Sequence, residues 1–502
     1  MTENLFSGLT KSKYSLLLFL WIALTFINVN KAFHIDDTFH LKAAEYLVNH
    51  PDEPMSGIIN WGDKPSPMYS YNQPPLFFYL IAIVIKLVGP NEIVLHLLLS
   101  IFTFLALFFF QKAAELLPLK NKKLLLFLFA FNAAFIVNQN LMIDIPILAI
   151  VLGVFYFLLK AKRTKKYNDY IAAALLTGIG LLTKYSVFPL LVILPMTILI
   201  NRDYKKLFVI LIPLGILFLW SLWNYYEFGE IHILQRGNKN YQLDALWLYL
   251  ACLGSISTFI ISFIYGSFPT KKTKLLIYAS LVLFVLSITV FYFDSIPEQL
   301  FSNYLHLLFF ITGLLVVGSL GIALYRSPYT GIIDFIHSDR FVIFLFIISF
   351  AAFIILFAPF IATRHVLLVI PFVLLFGGNL MDNSTVEINR LTIIVTTVLG
   401  LLLGISDWKF AGYYRKMASV VELPKGKNTW TLGYWGWQWY AEKRGMVQYN
   451  PIESDVEEGD YFIYLGETPK QKLNRDISLI IVDKIWEEPT FFTLFSGNTK
   501  GS

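Results

Sequence analysis

Two adjacent carboxylates, Asp36 and Asp37 in "HIDDTFHLKAAEYL", stand where the first apolar run of the chain ends. Further along, at comparable points beside other apolar runs, come Asp144 in "QNLMIDIP", Lys184 in "LLTKYS", and Arg364 with His365 in "FIATRHVLLVIP". Carboxylates and cations at one level beside an apolar slot suit group transfer from a lipid-phosphate donor. As a sugar leaves a polyprenyl phosphate, charge grows on the phosphate, and a fixed Lys or Arg stabilises it. The acceptor hydroxyl must lose a proton, which a positioned Asp can take. A phosphodiester leaves readily, so one base and a cationic clamp suffice for single displacement with inversion.

Each residue also has a plainer use. Asp37, ahead of Thr38, suits a helix N-cap, which leaves Asp36 without a local role. Asp144 precedes Ile145-Pro146, a helix-start pattern, so capping is open there too. Lys184 and Arg364 could be interfacial anchors. Within "NWGDKPSPMYSYNQPP", Asp63 and Lys64 could form a turn, while Asp63, Lys64, Tyr71 and Gln73, with Arg236 from a later loop, are candidate substrate contacts. His34 and His40 beside Asp36 and Asp37 have the mixed N/O donors of a divalent-metal site, with packing of the histidines as the other reading. Nothing in the sequence requires a cofactor.

The elements that must position these residues follow from composition. The chain has 502 residues, 56% hydrophobic and only 15% charged, against roughly 45–50% apolar in soluble domains. This is the composition of an integral membrane protein. The net charge of +6 comes from short basic clusters between apolar runs, which excludes a nucleic-acid partner and reads as topology. The single cysteine, Cys252, lies inside an apolar run, where it reads as a small core residue. About 13 spans are expected, centred near residues 22, 102, 131, 152, 176, 193, 215, 255, 284, 314, 351, 372 and 398.

Leu76 to Val88 is left out. Bounded by Pro74-Pro75 and Gly89-Pro90, it would be about 20 Å long, too short for a hydrocarbon core of about 30 Å. With that run excluded, Lys11/Lys13, Lys112 to Lys123, Lys160 to Lys166, Arg202 to Lys206, Lys271 to Lys274 and Arg326/Arg340 share one side, which predicts a cytoplasmic N-terminus. Residues 31–92 are then a first extracytoplasmic loop, and 408–502 an extracytoplasmic tail. In the loop, Thr38 to Val48 should be an amphipathic helix resting on the membrane surface, and Leu76 to Val88 a second interfacial helix. In the tail, "GDYFIYLG" and "ISLIIVDKIWE" read as strands around "GYWGWQWYAEKRG", a small α/β domain. Its Trp430, Trp435, Trp437 and Trp439 could stack on sugars or pack at the membrane interface. The expected fold is thus an all-α polytopic transmembrane domain, residues 1–407, plus this tail.

In order along the chain, "IDDTFHLKAAEYL", "YNQPPLFFYLIA", "LVGPNEIVLH", "QNLMIDIPILA", "GIGLLTKYS", "TRHVLLVIP" and "GYWGWQWYAEKRGM" resemble the GT-C superfamily of membrane glycosyltransferases. The resemblance is to the family 39 group of protein O-mannosyltransferases and the aminoarabinose transferase of lipid A. It implies a polyprenyl-phosphate-linked sugar as donor and a glycan, lipid or protein acceptor reached from outside. It also implies Asp36 as the base, with Asp37 completing the acidic pair where the commoner partner is Glu. Asp144 takes the place of the family's acidic residue between the third and fourth spans, and Lys184 and Arg364 those of the donor-phosphate contacts, His365 lying beside the latter. The tail is similar to those of bacterial members, so a bacterial inner or plasma membrane is the expected setting. The competing readings are a secondary transporter or lipid flippase, whose ionisable groups lie near the midplane, and an oligosaccharide transferase of the same fold.

Overall fold

The computed structural model describes residues 13–62, 64–71, 73–235, 244–292, 297–424, 426–466, 468–487, 490 and 492–493. Among these, seven helices are long and apolar enough to cross a membrane: Glu92–Leu116, Asp144–Thr164, Tyr204–Phe228, Lys271–Phe291, Gln299–Tyr325, Asp339–Phe357 and Val386–Val420. Ala245–Ser255 and Ile260–Ser267, bent by 93° at their junction, make an eighth if taken as one span. The chain is a multi-pass, mostly helical membrane protein.

The expected 13 spans are not each matched by one long helix. The run near residue 131 breaks into Lys122–Ala130 and Ala133–Val137. At the break, Asn132 caps the second piece by accepting from the Ala134 N–H, and its amide donates to the Ile256 carbonyl. The run near residue 372 breaks into Thr363–Val366, Ile370–Phe376 and Gly378–Asp382. Ser15–Asn28 and Tyr185–Ile200 are apolar but shorter than the long spans. Hydropathy counts apolar residues, and it does not register a side chain that satisfies broken backbone inside the protein.

Leu76–Val88 is a helix with the expected ends, stopped at Gly89, whose φ of 76° takes the chain out of the helix. It packs its Phe77, Phe78 and Ile81 face against the helix Asp37–Asn49. That helix has packing partners the sequence does not reveal: it buries Asp37, Thr38, Phe39, His40, Leu41, Ala43, Ala44 and Leu47 between Leu76–Val88 and a tail helix, Trp435–Lys443. Its amphipathic pattern meets protein on both sides.

The tail holds three parallel strands in the order Val447–Gln448, Thr429–Leu432, Tyr461–Tyr464, with Trp430 opposite Phe462. Parallel neighbours need a crossover, and Trp435–Lys443 supplies the one between the first two strands in the chain. "GDYFIYLG" is therefore a strand, but "ISLIIVDKIWE" is not. Ile480 and Val482 are 87% and 77% exposed, and without a neighbouring strand an alternating apolar run forms no ladder. The helix Val386–Val420 runs without a break through residue 408 into the tail.

The ends of the spans are chemically distinct. At one end of Glu92–Leu116, Glu115 pairs with Lys13; at the other, Glu92 pairs with Arg415 and accepts from Tyr440 of the tail. Lys13, Lys112 and Arg163, from three of the expected basic clusters, thus lie at the end of this helix away from the tail.

Candidate active site

Asp36 sits at the entry to Asp37–Asn49, in N-cap position, yet its side chain caps nothing. Nor does Asp37 cap in the expected sense. It is the first helical residue, and its carboxylate turns back to accept from the His34 N–H at 2.8 Å. The preceding Ile35 has φ 46°, a left-handed conformation that is an outlier for a β-branched residue. This turn frees Asp36 to face the interior of the site. Asp37 is fully buried, and burial first, with the Asp36 and Asp407 charges adding to it, raises its carboxyl well above the usual range.

The Asp36 carboxylate accepts from Arg364 Nη1 at 3.0 Å, both side chains keeping about a fifth to a quarter of their surface exposed. Arg364 lies in the short helix Thr363–Val366, its guanidinium over the Phe360 ring at 5.3 Å and 3.8 Å from Met142 Sδ. A second pair lies beside the first. Asp144 opens the helix Asp144–Thr164 without capping it, and its Oδ1 accepts from Lys184 Nζ at 2.8 Å. Lys184 reaches it from the extended residue between Tyr167–Leu181 and the turn Tyr185–Val187. The charge of Arg364 is felt by Asp36 and Asp144 alike, which places the four groups in one cluster. The second oxygen of Asp144 is buried and has no hydrogen-bond partner among the described residues.

His365, next to Arg364, has its Nδ1 3.3 Å from the Ala362 N–H. His40 contacts Gln73 Oε1 through Nε2 at 2.8 Å, which fixes the Gln73 side chain at the edge of the cluster. Among the described residues no group of three or more His, Cys, Asp or Glu side chains is arranged to hold a metal ion. The Tyr71 ring packs on Phe39 at 4.7 Å, and its carbonyl accepts from His232. Lys64 is exposed. Asp63 and Arg236 lie outside the described residues.

One group was only partly visible in the sequence, through His34. Lys31, His34 and Asp407 form a buried cluster: Lys31 Nζ pairs with Asp407 and donates to the Val137 carbonyl at 3.2 Å, and His34 Nε2 lies 3.3 Å from Asp407 Oδ1. The available signal was Asp407 itself, an acid inside the apolar run "LLLGISDW".

Residues 72–226 match the family described as dolichyl-phosphate-mannose-protein mannosyltransferase. No curated protein matches the chain. Among solved structures, the chain is similar to ArnT from Cupriavidus metallidurans in the apo state, at 14% identity and TM-score 0.42, covering 85% of this chain and 84% of that one. The same enzyme bound to undecaprenyl phosphate matches at 14% identity and TM-score 0.39, over 85% and 83%. The Archaeoglobus fulgidus oligosaccharyltransferase, in complex with Zn and sulfate, matches at 12% and 0.39, over 87% of this chain and 62% of that one. Scores of this size carry no assignment of their own. The family match covers less than half of the chain, and it falls on the segment that holds Asp144 and Lys184 with the motifs "QNLMIDIPILA" and "GIGLLTKYS".

Proposed function

We propose that the protein moves a sugar from a polyprenyl-phosphate donor to an acceptor hydroxyl at the tail end of the membrane domain, with inversion and with Asp36 as the base. The observation that carries this reading is the cluster of two adjacent ion pairs, Asp36–Arg364 and Asp144–Lys184. Without donor, both cations are neutralised one-to-one by carboxylates. A donor phosphate entering the cluster offers Arg364 a second anionic partner and draws it away from Asp36. A carboxylate that loses its cation becomes a stronger base. Donor arrival would therefore activate Asp36 at the moment the acceptor has something to attack.

In the step itself the bond from the anomeric carbon to the phosphate oxygen breaks, and the acceptor oxygen bonds to that carbon from the opposite face. The acceptor proton passes to Asp36, and the electron pair stays on the phosphate, where Arg364 and Lys184 meet the growing charge. Asp144 holds Lys184 in place. Because the basic clusters lie at the other end of the spans, the positive-inside rule puts this end outside the cytoplasm and the N-terminus within it. A bacterial plasma membrane fits that arrangement.

Mass spectrometry of envelope lipids, glycans and glycoproteins from cells with wild-type protein, with Asp36→Asn and without the gene tests the reading. It predicts one glycoconjugate that is present only with the wild type. An unchanged glycoconjugate profile across all three would contradict it.

A further inference from the structure

The strained turn that aims Asp36 is gripped from outside its own helix. Three contacts come from the tail. The Phe33 N–H donates to Tyr440 Oη at 2.8 Å, and Thr38 Oγ1 donates to the Trp435 carbonyl at 2.6 Å. Gly436 lies so close to the turn that a Cβ placed on it would sit 2.1 Å from the Phe33 carbonyl oxygen. Only glycine permits that approach. The contacts thus fall on both sides of Ile35 and Asp36. Trp435 is itself left-handed at φ 61°, so the tail helix begins with a strained residue at the point where it meets the turn. From the membrane side, the Lys31–His34–Asp407 cluster pins the near end of the same segment. None of these groups is among the hydrogen-bond partners of the Asp36 carboxylate, which faces Arg364.

Left-handed geometry at a β-branched residue persists only where the surroundings impose it. Asp37–Asn49 does not need it, because a helix can start from an ordinary extended residue. We infer that the tail helix Trp435–Lys443 is a positioning element for transfer: Thr38, Gly436 and Tyr440 hold the Ile35 turn so that Asp36 meets Arg364. The tail thereby sets the geometry of the base without contacting substrate, a role that rests on the reading of Asp36 as the base.

Hydrogen exchange with mass spectrometry on the full-length protein in detergent reads the hold directly. The Asp37 and His40 amides bond to the His34 and Asp36 carbonyls at 3.0 and 3.3 Å, and both bonds depend on the turn. Thr38→Val removes the hydroxyl at nearly constant volume, and Thr38→Ser keeps it. Thr38→Val and Gly436→Ala should speed exchange over residues 33–40 by about tenfold while leaving Asp144–Thr164 unchanged. They should also lower the glycoconjugate product in cells by about tenfold, with undecaprenyl phosphate affinity kept within about threefold, as expected for misplacing a base rather than losing the donor clamp. Thr38→Ser should match the wild type in every readout.

If Gly436→Ala unfolds the tail, seen as faster exchange across Thr429–Leu432, the two Thr38 variants decide. Exchange in Thr38→Val within about twofold of wild type would overturn the inference, as would Thr38→Ser behaving like Thr38→Val. Faster exchange with wild-type product would overturn it as well. Faster exchange together with full product from Asp36→Asn would support the hold on the turn and remove the base reading instead.

Discussion

Asp36 and Arg364 stand 328 residues apart in the chain, and their side chains meet at 3.0 Å. The candidate base and a candidate phosphate clamp are thus each other's partners before any donor arrives. In the proposed mechanism, binding and activation are coupled through one guanidinium.

That coupling separates the two cations. Arg364→Ala should weaken binding of undecaprenyl phosphate and slow transfer, by about 10²–10³ in rate if it acts as an oxyanion-type donor. Lys184→Ala should do the same and in addition leave Asp144 buried without its partner, so its thermal stability in detergent should fall further than that of Arg364→Ala. Undecaprenyl phosphate titrations and melting curves on the two variants check both parts.

The Lys31–Asp407 pair should matter to folding rather than to donor binding. Asp407→Asn strands Lys31, whose side chain is 1% exposed, and breaking a buried pair from one side costs about 3–5 kcal/mol. Replacing both partners, as Lys31→Met with Asp407→Leu, should recover most of that loss. Denaturation of the single and double variants in one detergent measures the difference.

Acid should destabilise the protein starting below its histidines' ordinary range. Burial first lowers both His34 and His40 from 6.5, although Asp407 and Asp36 respectively oppose the shift. The native state therefore keeps them neutral where the unfolded chain takes up protons. Their contribution is complete above pH 6.5 and is lost as pH falls through that value toward the lower native pKa values. Asp37 acts in the opposite sense, because its raised pKa gives stability that is present below 3.8 and lost as pH rises through its native value. Melting temperature should therefore fall less, or rise more, between pH 6.5 and 5 in His40→Gln than in the wild type.

Features written in local chemistry were legible in the sequence. Leu76–Val88 showed its ends through Pro75 and Gly89, and its length alone kept it out of the span count. Asp144, Lys184 and Arg364 were recognisable as polar residues beside apolar runs, and the structure brings them together with Asp36. What sequence reading missed depends on distant partners. The capping role drawn for Asp37 assumed a free helix start, whereas the strained Ile35 turns that carboxylate back to His34. The buried setting of Asp37–Asn49 depends on a tail 397 residues away, through contacts such as Thr38 with Trp435. Helix breaks such as the one at Asn132 depend on Ile256, 124 positions on. Periodicity carries no information about either.

The central claim, that Asp36 takes the acceptor proton, is tested most directly by Asp36→Asn. The substitution keeps the shape and a hydrogen-bonding oxygen for Arg364 while removing the base. Purified variant and wild type would be compared for undecaprenyl phosphate affinity, and cells carrying each for the glycoconjugate product. The account predicts donor-lipid affinity equal to or tighter than wild type, since Arg364 is released, with product reduced by about 10²–10⁴. Product near the wild-type level from Asp36→Asn would contradict it.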